Sequence, residues 1–147
     1  MSPHVEAPAP TILVIEDERP LLEAITKKLE HCCFEVVATR SVEQALGYLE
    51  DVKGIQCIWL DHYLLGAKNG LDFVAKIKEA NSPWKTIPIF VVSNTASPDK
   101  VGAYMQLGVN AYYTKSDYHL DQIIADIRET LHCKTCVINP THAEKEL

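Results

Sequence analysis

Short apolar runs alternate along this chain with segments whose apolar residues recur every three or four positions. Thr11 to Glu16 (TILVIE) is a β-rich run that predicts a buried strand, and after it Leu21, Leu22, Ile25 and Leu29 fall on one helical face. Phe34 to Thr39 (FEVVAT) predicts a second strand. The next segment opens with Ser41 as an N-cap and Gln44 in the capping-box position. Ile55 to Leu60 (IQCIWL) predicts the third strand, and GLDFVAKIKEA the third helix, with Leu71, Val74, Ile77 and Lys78 stacked at helical spacing. Ile87 to Ser93 is a strongly apolar fourth strand with Pro88 near its edge. Ser97 caps a fourth helix that begins at Pro98 and stops at Gly108. Asn110 to Thr114 predicts the fifth strand, and Leu120, Ile123, Ile124, Ile127 and Leu131 line one stripe of the last helix.

Five strand–helix units with near-continuous apolar strands imply a parallel sheet covered on both faces. A doubly wound open α/β sheet satisfies this; a closed eight-unit barrel needs far more chain. Ligands of such sheets bind outside the carboxyl ends of the strands. Strand 1 delivers Glu16, Asp17 and Glu18 there, strand 3 delivers Asp61, strand 4 Ser93 and Asn94, and strand 5 Thr114 and Lys115. Strand 2 offers Thr39 and Arg40.

Composition narrows the class. A chain of 147 residues, 47% hydrophobic and 23% charged, fits one soluble domain, read as residues 11–132 between a loose N-terminal tail (1–10) and a C-terminal tail (133–147). A net charge of −6 argues against direct nucleic-acid binding, which needs a basic surface. No apolar run reaches the length of a membrane span, and the N-terminus lacks the pattern of a secretory signal. Cys32, Cys33, Cys57, Cys133 and Cys136 are odd in number and two are adjacent, which does not read as a disulfide framework; a reducing cytoplasm is the expectation. Cys133 and Cys136 offer half a zinc site; a second pair at the right distance is missing, although His132 and His142 could serve, and the segment reads as a tail with incidental thiols.

If strands 1 and 3 are neighbours, Asp17 and Asp61 converge. Packed carboxylates repel, and a hard divalent cation such as Mg2+ resolves the repulsion. With a hydroxyl and an ammonium opposite, the set suits phosphoryl transfer. The motifs ILVIEDE, IWLD, VVSNTA and YYTK, in order and each at a strand end, resemble the receiver domains of two-component response regulators from about Ile12 to Leu131. The resemblance implies a flavodoxin-like (βα)5 fold with strand order 2-1-3-4-5. It implies that Asp61 accepts a phosphoryl group from a phosphohistidine on a histidine kinase or phosphotransfer protein. Mg2+ would be held by Asp17, Asp61 and the Tyr63 carbonyl, with Glu16 acting through water. Ser93 would bond the phosphoryl oxygens, Lys115 would pair with the carboxylate and then the phosphate, and Tyr112 would be the aromatic switch. The surface of the fourth helix, fifth strand and fifth helix would contact a downstream protein partner, and it admits a homodimer. Such a domain is a regulatory switch, not a turnover enzyme, although it assists its own phosphorylation and dephosphorylation.

Some positions depart from the family pattern. Ser116 stands where a proline usually follows the lysine, Leu64 and Leu65 where Met-Pro is usual, and Asn94 where a small residue is usual. These keep open a pseudo-receiver, the same fold used as an interaction module without phosphorylation. An aspartyl-nucleophile phosphohydrolase would carry a second Asp where Tyr63 stands, and the acidic EDERP loop would repel a phosphate-bearing cofactor. His62, beside Asp61, points by alternation to the other side of the chain and is expected to border the site and affect access or partner choice. The sequence leaves open whether the domain stands alone or is part of a larger regulator.

Overall fold

A computed structural model describes residues 9–62, 69–94 and 97–132. It contains β1 (Thr11–Ile15), α1 (Arg19–His31), β2 (Glu35–Thr39), α2 (Val42–Asp51), β3 (Ile55–Leu60), α3 (Gly70–Ile77), β4 (Ile89–Ser93), α4 (Pro98–Leu107), β5 (Ala111–Thr114) and α5 (Leu120–Leu131). The five strands form one parallel sheet in the order β2-β1-β3-β4-β5. This is the doubly wound sheet that the alternation of strands and helices predicts, in the flavodoxin-like order that the family resemblance implies.

Alternation within the strands splits the core into two layers. Leu13 and Ile15 of β1, Ile58 and Leu60 of β3, and Ile89 and Val91 of β4 pack with Val42, Phe73, Val74 and Tyr104 from α2, α3 and α4. Ile12, Val14, Cys57, Trp59, Phe90 and Val92 face the other way, onto Leu22, Ile25 and Leu29 of α1 and Ile123, Ile124 and Ile127 of α5. The three central strands are thus apolar at nearly every position because both of their faces are covered. Cys57 is fully buried, as expected of a core position.

The helix ends follow local chemistry, with two corrections. Ser41 accepts from the Gln44 amide, but the Gln44 side chain reaches back to the N–H of Arg40, not of Ser41, so the reciprocal box is displaced by one residue. The third helix ends at Ile77, and its buried stripe is Phe73, Val74 and Ile77, with Leu71 only half-buried and Lys78 at the C-cap. Its start is a full capping box between Asn69 and Asp72. Ser97 caps α4 and Gly108 ends it at φ 99°, as the sequence predicts.

Cys33 is disulfide-bonded, which the expectation of a reducing compartment did not anticipate; Cys32 and Cys57 are thiols. Cys133, Cys136 and His142 lie outside the described residues. Among the described residues no helix is long and apolar enough to cross a membrane.

Candidate functional site

The chain order of the sheet reverses between β1 and β3, so the loops leaving these two strands diverge and open a crevice at their carboxyl ends. Pairing of Ile15 with Leu60 brings Glu16, Asp17 and Asp61 into that crevice, and the Asp61 amide donates to the Ile15 carbonyl at 2.9 Å. One carboxylate oxygen from each of the three residues lies within 4.8 Å of the others. Glu16 and Asp61 are buried, at 1% and 4% exposure, and Asp17 is half-buried.

The first loop is held from two sides. Glu16 accepts from the Glu18 amide at 3.1 Å, and the Arg40 guanidinium at the end of β2 donates twice to the Asp17 carbonyl, at 3.1 and 2.8 Å. The sequence does offer Arg40 at a strand end, but its role as a brace depends on β2 lying beside β1.

From the other flank, β5 delivers Lys115. Its ammonium donates to Glu16 Oε1 at 3.1 Å and lies 3.6 Å from Asp61 Oδ1. Lys115 was expected to pair with Asp61; it contacts both carboxylates, and Glu16 is the nearer. Among the described residues no peptide bond is cis, so Lys115 reaches the site with a trans bond to Ser116. Ser93, fully buried, ends β4 opposite Thr114, and its carbonyl accepts from the Lys115 amide at 2.7 Å. Asn94, next in the chain, is exposed.

Burial and like charge set the acidities here. Burial, then the negative charges of Glu16 and Asp17, push Asp61 up to about 7, with Lys115 opposing. Burial also raises Glu16, against the pull of the Glu18 amide and Lys115. The Asp61 carboxylate is thus an acid in need of positive charge.

The remaining predicted residues fall in two places. Tyr112 is half-buried on β5, its ring 5.7 Å from that of Tyr104. Tyr63, with Leu64 and Leu65, lies outside the described residues. His62, next in the chain after Asp61, faces the side of the sheet that carries Tyr104, as alternation predicts. It is 7% exposed and its Nδ1 stands 2.7 Å from the Tyr104 hydroxyl. Burial and the nearby Lys100 lower its pKa, with Asp72 opposing, so the ring favours its neutral form. Tyr104 was not singled out in the sequence, because a tyrosine in a weakly patterned helix carries no signal of its own.

A family model described as the response regulator receiver domain matches residues 12–128. The transcriptional regulatory protein DltR of Streptococcus agalactiae is 29% identical over 80% of this chain and 50% of its own length. The chain thus spans about half the length of this curated relative. Among solved structures, the Mn2+-bound form of response regulator Rcp1 is 27% identical, with a TM-score of 0.70 over 88% of this chain and 99% of that one. A response regulator receiver protein from Pseudomonas putida is 25% identical, with a TM-score of 0.77 over 84% of this chain and 99% of that one.

Proposed function

The chain belongs to the response regulator receiver domain family, and on that footing we propose that residues 11–132 act as a switch whose phosphoacceptor is Asp61. A carboxylate oxygen of Asp61 attacks the phosphorus of a phosphohistidine on a histidine kinase or phosphotransfer protein. The P–N bond breaks, the imidazole leaves with its electron pair, and an acyl phosphate forms. The observation that carries this reading is the convergence of Asp61 with Glu16, Asp17 and Lys115 at the switch point of the sheet.

The donor set fits a hard divalent cation, since it offers three carboxylates with oxygens within 4.8 Å of one another. Asp17 and Asp61 would hold the ion directly. Both Glu16 oxygens are already engaged, by Glu18 and Lys115, which suits a role through water. When bound, Mg2+ supplies positive charge beside the oxygens of the transferred group. Lys115 stands ready to follow the charge from carboxylate to phosphate, and Ser93 to bond a phosphoryl oxygen from the end of β4.

The added charge then biases two arrangements of the surface formed by α4, β5 and α5, with Tyr112 following Ser93. That surface would contact a downstream protein. The chemistry is regulatory: one group is accepted and later lost, and no substrate is turned over.

Intact-mass measurement after incubation with Mg2+ and acetyl phosphate tests the acceptor. A Mg2+-dependent phosphoryl adduct is expected, absent from Asp61→Asn. A folded, Mg2+-binding protein that takes no phosphate from acetyl phosphate or from phosphohistidine donors would overturn the proposal in favour of an interaction module that works without phosphorylation.

A further inference from the structure

One buried polar pair near the acidic cluster has no part in the phosphoryl chemistry. His62 follows Asp61 in the chain and lies on the α2–α4 side of the sheet, where its Nδ1 stands 2.7 Å from the hydroxyl of the fully buried Tyr104. The two rings meet edge to face, with centroids 5.7 Å apart and planes at 83°. Tyr104 is the one fully buried residue of α4, with Leu107 partly buried against the same core layer.

The same side chain touches two other elements. Its hydroxyl lies over Gly70, the first residue of α3, so closely that a Cβ there would collide with it. Its ring leans on Tyr112 of β5 at 5.7 Å and 50°. The Gly70 amide donates to the His62 carbonyl at 3.0 Å. Residues from the end of β3, the start of α3, α4 and β5 therefore meet at one phenol.

We propose that His62 and Tyr104 are positioning residues that fix α4, and through it Tyr112, against the strand end that carries Asp61. Only the bearing of this contact on the switch rests on Asp61 being the phosphoacceptor. A hydroxyl buried among apolar groups is costly to leave unbonded, and its hydrogen bond is directional where apolar packing is not. α4 thus has a preferred height and rotation relative to β3. Displacing α4 breaks the bond or drags His62, and His62 is covalently next to Asp61. The bond is a local link by which movement at either end biases the other.

Amide hydrogen exchange on the full chain tests this, comparing wild type with Tyr104→Phe, His62→Phe, the double variant, and His62→Asn, whose side-chain amide stands near the place of Nδ1. In both single variants the amides of residues 101–107 are expected to exchange roughly three- to tenfold faster, the effect of one ordinary hydrogen bond, while those of α1 and α5 keep their wild-type rates. The double variant should be no faster than either single one, and His62→Asn should restore slow exchange. Wild-type rates in α4 of both single variants would overturn the proposal. So would acceleration throughout the chain, or no restoration by His62→Asn. The measurement is made on unphosphorylated protein. A missing Asp61 adduct would therefore remove the acceptor role and leave the exchange result standing.

Discussion

Asp61 is where burial and charge oppose each other most strongly. Its pKa of about 7 lies above the ordinary value of 3.8, so the folded state holds a proton that the unfolded chain releases between these two values. Such a group favours folding below pH 4, and that contribution is lost as pH rises through 7. In metal-free protein Asp61→Asn is therefore expected to raise stability by roughly 2–4 kcal/mol at pH 8, with the gain shrinking steadily as pH falls toward 4.5. Urea unfolding of both proteins across that range checks the sign and the slope. The type of each site residue was legible in the sequence: a carboxylate, a hydroxyl and an ammonium, each at a strand end. Their acidities were not, because they depend on burial and on neighbours from other strands. His62 shows the same limit, since alternation gave its side of the strand but not the tyrosine that meets it there.

Among the helices, α4 has the fewest buried residues. Its ends are well specified, by Ser97 and Pro98 at one and by the left-handed Gly108 at the other, yet it buries only Tyr104. Its neighbour α3 begins at Gly70, where a side chain would strike the Tyr104 hydroxyl. Gly70→Ala is expected to cost roughly 1–3 kcal/mol through this overlap, although alanine is the better helix former. In a Tyr104→Phe background the colliding oxygen is gone and part of that cost should vanish, the rest remaining because the added Cβ still stands 3.2 Å from the Asp61 carbonyl oxygen and from the His62 Cα. Denaturant unfolding of the four proteins in this cycle measures the difference. Element order and the ends of α4 were legible because caps and periodicity are local. The strands are one or two residues shorter than their apolar runs at β1, β2, β4 and β5, since a run marks burial and not the ladder of hydrogen bonds.

At the scale of the molecule, a metal held by the acidic cluster would be linked to folding, because its three carboxylates follow two different strands and meet only in the folded chain. Mg2+ at a hundredfold excess over its Kd is expected to raise the unfolding free energy by about 2.7 kcal/mol, and chelation to remove that gain. Asp17→Asn should lose most of the effect while retaining the fold, as read by thermal unfolding with and without the ion. The sequence by itself determined the alternation of strands and helices, the two-sided burial of the central strands and the residues at the carboxyl end of each. These follow from periodicity, capping and backbone chemistry, which act over a few neighbouring residues. Only the tertiary structure decided that Lys115 sits nearer Glu16 than Asp61, that Arg40 braces the first loop and that Tyr104 meets His62. Each of these joins residues far apart in the chain. Their approach is fixed by how the two core layers pack on the sheet, which no local pattern encodes.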